Sequence, residues 1–265
     1  MGPDTRIQDL LGIELPTLLA PMAGAVSSEL AIAVAEAGRR GSLPCAMLST
    51  GQVRAELARI RQRTARPINL NFFCHHSPAV DLQWEMAWRE RLSGYYLELG
   101  LDLKAPVQST TRTPFDGAMW DLVVELRPEV VSFHFGLPDK ELLAHVKDTG
   151  EKIQSSATTV DEARWLEDAG CDTIVAQGYE AAGHRGMFLT QDISTQLGTF
   201  ALVPQVVDAV KGPVIAAGGI ADARGIVAAS GLGASPVQMG TTYLFCPEST
   251  IGSGTSASTE ESSAS

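Results

Sequence analysis

No run of about 18 apolar residues occurs in this 265-residue sequence, so no segment reads as a membrane-spanning helix. Its first residues, Met-Gly-Pro-Asp-Thr-Arg, lack the apolar stretch of a secretory signal. Basic side chains are scarce. Twenty Lys and Arg stand against 31 Asp and Glu, a formal charge of −11, which argues against nucleic acid or an anionic membrane as a partner. The four cysteines, at 45, 74, 171 and 246, form no CxxC pair and have no metal-ligand spacing with the histidines. Three lie in or beside apolar runs and read as buried thiols in a reducing compartment. A cytoplasmic protein is expected.

What is present is an alternation. Hydrophobic residues make up 45 % of the chain, enough for one large core. Short apolar runs predict strands at 18–22, 42–46, 68–73, 130–135, 152–157, 173–176, 213–217 and 235–239. Helices are predicted at 29–37 with Ser27 or Ser28 as cap, and at 50–63, 79–92, 119–126 and 139–149. Another follows Thr159, with Val160, Ala163, Trp165, Leu166 and Ala169 on its buried side. The last two cover 203–210, with Pro204 in its first turn, and 222–230. Residues 74–118 break the rhythm; they hold an amphipathic helix and a polar Thr/Ser/Pro stretch, as a functional cover or inserted subdomain would.

Eight such units joined by right-handed crossovers close into a (β/α)8 TIM barrel. The alternative, an open doubly wound sheet, seldom runs to eight regular units, and no GxGxxG follows the first strand. The barrel is expected to occupy 1–250, with a disordered Ser/Thr-rich tail at 251–265.

The chain is organised around 173–188. There an apolar run opens into a loop with glycines at 178, 183 and 186 and with Gln177, Glu180, His184 and Arg185 between them. A buried strand that opens into a Gly-rich polar loop is where an α/β protein places its chemistry. His184 is the one side chain there that exchanges a proton near neutral pH. On spacing alone, a catalytic loop and a solvated surface loop remain equally open. In TIM barrels a phosphate commonly sits at the loops after strands seven and eight, here Gly218-Gly219 and Gly240-Thr241. Paired glycines expose amides, a helix start adds its dipole, and Thr241 offers a hydroxyl; the bland alternative is a pair of tight turns. Met22, Asn71, Gln177 and Gln238 fall at other strand ends, where amides suit the carbonyl and N–H groups of a planar heterocycle. The lysines at 104, 140, 147, 152 and 211 fall in loops, helices or strand starts, which weighs against Schiff-base chemistry. Flavin mononucleotide (FMN) answers to one phosphate, a flat polar ring and an adjacent base.

Six pieces carry a family resemblance: Ala-Pro-Met at 20–22, Asn-Leu-Asn-Phe-Phe-Cys-His at 69–75, Ser-Phe-His-Phe-Gly at 132–136, Ala-Gln-Gly-Tyr-Glu-Ala-Ala-Gly-His-Arg-Gly at 176–186, Ala-Ala-Gly-Gly-Ile at 216–220 and Gln-Met-Gly-Thr at 238–241. In this order they resemble nitronate monooxygenase, formerly 2-nitropropane dioxygenase. The resemblance spans roughly 6–249. It implies an FMN-dependent oxidoreductase that oxidises alkyl nitronates with O2 to carbonyl compounds and nitrite. The family's catalytic histidine matches His184. Its flavin-contacting positions match Met22, Asn71, Gln177, Gly183, Gly218, Gly219, Gln238, Gly240 and Thr241, and His134 falls on the substrate side.

Three departures stand out. Ala182 replaces a usual glycine, expected to tighten the backbone near the flavin. Arg39-Arg40 interrupt a usual Ala-Gly-Gly-Leu-Gly turn, expected at the surface. Past the eighth strand the family's last helices are missing, predicting uncovered apolar barrel surface and self-association. The other readings are an NAD(P)H-dependent flavin reductase of the same barrel group, acting on an enoyl-thioester or quinone, and an inactive remnant.

Overall fold

A computed structural model describes residues 5–77, 81–105 and 112–251. Eight parallel strands form one sheet: β1 Thr17–Leu19, β2 Gly41–Pro44, β3 Ile68–Phe73, β4 Val130–His134, β5 Lys152–Ala157, β6 Thr173–Gln177, β7 Val214–Ala217 and β8 Val237–Met239. The hydrogen-bonded order runs from β1 through β8 and back down to β2. A parallel bridge between Leu18 and Arg40, with Leu19 N–H on the Arg40 carbonyl at 3.0 Å, closes the ring between β1 and β2. This is the expected TIM barrel.

The outer helices are α2 Ser28–Glu36, α3 Thr50–Arg63, α6 Gly117–Leu126, α7 Lys140–Thr149, α8 Val160–Asp168, α9 Thr199–Ala209 and α10 Ala223–Gly231. Their starts are chemically marked. Ser49 and Gln52 form a reciprocal capping box on α3, and Asp116, Asp139, Thr159 and Asp222 accept first-turn amides. Two apolar clusters fill the space between sheet and helices. Gly41 marks one close approach: a Cβ there would lie 2.3 Å from the Ala31 carbonyl oxygen of α2.

Inside the ring a third cluster is completed by α1, Arg6–Leu11, which the sequence pattern did not reveal. Its Ile7 and Leu11, with Ile13, pack on Leu18, Val130, Val175 and Ile215. Six residues are too few to display a 3.6-residue period.

Several expectations need correction. Arg40 is not at the surface; it is fully buried and reaches Gln154 of β5, because the chain enters β2 one residue after it. Trp165 is 42 % exposed and leans on Phe188, as α8 buries Ala163 and Leu166 instead. Pro204 sits inside α9, not in its first turn, because that helix begins earlier, at Thr199. Ser27 is the N-cap of α2 but makes no side-chain cap bond; the Glu56 carboxylate takes the Ser28 amide at 3.3 Å.

Residues 76–112 form a separate compact unit. Within it lie α4, Leu82–Arg91, and α5, Ser93–Glu98, and Arg89 donates to the Leu103 and Ala105 carbonyls at 2.6 Å each. The predicted amphipathic helix is not one: α4 buries no residue. Leu82, Trp84, Met86 and Trp88 recur every second position, which scatters them around a helix. The start of that predicted helix, part of the polar stretch, and the predicted tail from 252 lie outside the described residues.

After β8 a 3-10 turn, Thr241–Phe245, leads the chain back to β1's loop, where Thr250 bonds Gly24 and Ala25. The four cysteines are free thiols. No described helix is long and apolar enough to cross a membrane.

Candidate active site

At the C-terminal ends of the strands lies a cavity of about 450 Å³, within the roughly 300–1,000 Å³ of small-molecule and cofactor sites. Met22, Asn71, His134, Gln177, Gly183, His184, Gly218, Gly219, Gln238, Gly240 and Thr241 all line it. Strand alternation explains the convergence. In register, Asn71 pairs with Ser132, Phe73 with His134, and Ala217 with Gln238. Asn71 is buried and donates from Nδ2 to Ser132 Oγ at 2.9 Å.

The loop after β6 is held from beneath. Gln177 Oε1 accepts the Gly186 amide at 2.7 Å, and its Nε2 donates to the His184 carbonyl at 3.0 Å. His134 Nε2 lies 3.3 Å from the same carbonyl, and its Nδ1 lies 3.2 Å from Ser156 Oγ. A carbonyl only accepts, so Nε2 carries the proton and Nδ1 accepts from the serine hydroxyl. Burial pulls the His134 pKa down to about 4, with the His184 carbonyl bond opposing it. His134 is therefore neutral at pH 7. Gly186 is required at this crossing, since a Cβ would stand 2.8 Å from His134 Cε1.

The rest of the loop is pinned from behind. Glu162 of α8, fully buried, accepts the amides of Phe188 (2.7 Å) and Leu189 (3.2 Å) and both the amide and hydroxyl of Thr158. Arg185 donates to the Ala181 carbonyl at 3.0 Å and lies over the Tyr179 ring at 4.5 Å. The His184 imidazole meets the rings of Phe73 at 5.3 Å and Phe135 at 5.7 Å. Phe135 has φ +68°, a left-handed conformation that costs a non-glycine residue roughly 1–2 kcal/mol. Backbone strain of this kind gathers at functional sites.

Beside this loop, at the ends of β7 and β8, are the glycine turns. Gly218 and Gly219 have φ of +118° and +67°, and a Cβ on Gly218 would lie 2.7 Å from Thr199 Oγ1 and 2.9 Å from the Ala181 amide nitrogen. Among the described residues, no backbone hydrogen bond is donated by the amides of Gly219 or Gly240. Gly240 packs against β1's loop, where its Cβ would be 3.2 Å from Met22 Sδ. The start of α10 offers nothing further, because the Asp222 carboxylate already accepts the amides of Arg224 and Gly225. Glu180 accepts the amide and hydroxyl of Thr199, at 2.7 and 2.9 Å, fixing α9 beneath these turns.

Sequence reasoning missed Ser132, Gln154 and Ser156, which also line the cavity. Their inward positions on β4 and β5 were legible from strand alternation. Glu162 and Phe135 carried no such signal, since one acts across the fold and the other through its backbone. Ala182 lines the cavity with negative φ, so it fits without left-handed strain.

A sequence model of the nitronate monooxygenase family matches residues 4–263. A nitronate monooxygenase from Paraburkholderia phytofirmans is 42 % identical over 247 residues, covering 92 % of this chain and 67 % of the relative. The crystal structure of nitroalkane oxidase from Streptomyces ansochromogenes superposes with a TM-score of 0.83 at 35 % identity, covering 93 % of this chain and 70 % of that one. FabK from Thermotoga maritima superposes with a TM-score of 0.69 at 32 % identity, covering 92 % and 64 %.

Proposed function

Because the chain belongs to the nitronate monooxygenase family of flavin-dependent oxidoreductases, we propose that it binds FMN and oxidises alkyl nitronates with O2 to carbonyl compounds and nitrite. The observation that carries this reading is one cavity lined both by His184 and by the glycine turns Gly218-Gly219 and Gly240. The amides of Gly219 and Gly240, in left-handed or closely packed glycines, fit a single phosphate. Asn71, Gln154 and Gln238 give the depth of the cavity the mixed donors and acceptors that a flavin ring requires. Bound FMN would accept electrons from the nitronate and deliver them to O2.

The chain's own residues do the rest. His184 stands at the cavity wall as base toward an α-proton or as hydrogen-bond donor to the nitro group. His134 and Gln177 act on its backbone carbonyl, so the imidazole is presented by a fixed main chain. Phe73 and Phe135 flank it with apolar edges that exclude water. His184→Asn should lower turnover of a neutral nitroalkane by about 10²–10⁴-fold, and turnover of the preformed nitronate far less. Nitrite release measured on both forms distinguishes the roles. Equal losses would make His184 a nitro-group ligand, and full activity on both would remove it from the site. Acid-released flavin that co-migrates with FAD would overturn the FMN assignment.

A further inference from the structure

Among the described residues, Arg40 is a buried cation without a counter-ion. Its residue is 0 % exposed, and Nη1 donates to Gln154 Oε1 at 2.5 Å. Among the described residues, Nε and Nη2 have no partner, and neither does Asn69 Oδ1 on the neighbouring strand β3. A buried, incompletely paired charge is strongly unfavourable, whereas an apolar side chain at the same position would carry no such penalty. A packing role alone therefore leaves the guanidinium unexplained.

Its hydrogen bond sets the direction of a relay. A guanidinium only donates, so Gln154 must turn its carbonyl oxygen toward Arg40 and its amide nitrogen away. That nitrogen lies 3.4 Å from Gln238 Oε1. Gln238 then has its carbonyl engaged below and its own NH2 group left to point elsewhere. Gln154 and Gln238 both line the cavity, and Arg40 lies behind them. The floor of the cavity is thus polarised with N–H donors outward and a positive charge at its back. Burial lowers the Arg40 pKa to about 9, which leaves it cationic at neutral pH.

We propose that Arg40 is a positioning residue which, through Gln154 and Gln238, makes the cavity floor electropositive and raises the reduction potential of the bound flavin. The inference rests on the flavin reading above. Uptake of two electrons and one proton gives reduced flavin one more negative charge than the oxidised form. A fixed cation with aligned donors favours the more negative state.

The test is a redox titration with dithionite against an indicator dye, on FMN-loaded wild type, Arg40→Leu and Gln154→Glu. Gln154→Glu keeps the volume and places a carboxylate on the guanidinium, so it neutralises the charge without an orphaned cation. At a fixed potential each variant should show at least a tenfold smaller ratio of reduced to oxidised flavin, a shift of about −30 mV for a two-electron couple. Arg40→Lys should fall between wild type and Arg40→Leu. Variants that hold flavin at the wild-type potential, whatever their melting temperatures, would overturn the inference. A wild-type protein that takes up no flavin would overturn the flavin reading instead. If Arg40→Leu does not fold, Arg40→Gln, which removes the charge but keeps a donor for Gln154 Oε1 and leaves the cavity lining unchanged, decides between a shifted and an unshifted potential.

Discussion

His134 illustrates how a single side chain is fixed by its two ring nitrogens. Both are engaged, one by Ser156 and one by the His184 carbonyl. Protonation would give Nδ1 a hydrogen pointed at a hydroxyl that is already donating. The folded pKa of about 4 lies below the ordinary 6.5, so the unfolded chain takes up the proton first. The stability contributed by neutral His134 is complete above about pH 6.5 and is lost as pH falls toward 4. Urea midpoints at pH 7 and pH 5 should therefore fall more steeply in wild type than in His134→Gln, whose amide keeps the bonds without titrating. Parallel slopes in the two proteins would remove His134 from the pH response. At this scale the sequence was partly legible. The amides were marked by their places at strand ends, His184 by the glycine-rich loop that holds it, and His134 by the family resemblance. Arg40 was not, because its two-arginine context reads as surface when nothing shows that the chain turns inward at β2. Phe135 was not either, since a left-handed φ leaves no mark in a Ser-Phe-His-Phe-Gly string.

Elements hold the site by reaching across to one another. Glu162 belongs to α8, yet it fastens Phe188 and Leu189 in the loop that follows β6. Glu162→Gln should loosen that loop, because an amide cannot accept all four donors and each buried donor left unpaired costs about 1–3 kcal/mol. Faster proteolysis within 178–198, with flavin still retained, is the expected outcome; an unchanged cleavage pattern would show that the loop stands without the carboxylate. The glycine turns should respond differently. Gly240→Asp places a carboxylate beside Met22 and against the phosphate dianion proposed there. The purified variant should lack the visible flavin spectrum even with added FMN, while its far-ultraviolet circular dichroism stays that of the barrel. Strand and helix existence was legible here because each unit repeats the same apolar rhythm. Boundaries were less so: α9 begins at Thr199 because Glu180 caps it from another loop, a partner no local window contains.

The whole molecule depends on closure of the ring between β1 and β2, which rests on the single Leu18–Arg40 bridge and its flanking hydrogen bonds. Gly41 permits that closure by letting β2 lie against α2. Gly41→Ala would bring a methyl 2.3 Å from the Ala31 carbonyl oxygen, and overpacking of this kind costs about 1–3 kcal/mol. For a domain of this size that is a fall in Tm of roughly 2–4 °C per kcal/mol, readable by thermal melting. A variant as stable as wild type would mean that α2 yields freely. The opposite end of the ring is shut by α1, whose Ile7 and Leu11 sit with Ile13 on the inward residues of the strands. Among the described residues, a barrel stoppered at its base leaves the cavity facing the rim at the strands' C-terminal ends. In the reaction proposed above, substrates and products would share that rim beside His184, and a product lingering there would hold back the next arrival.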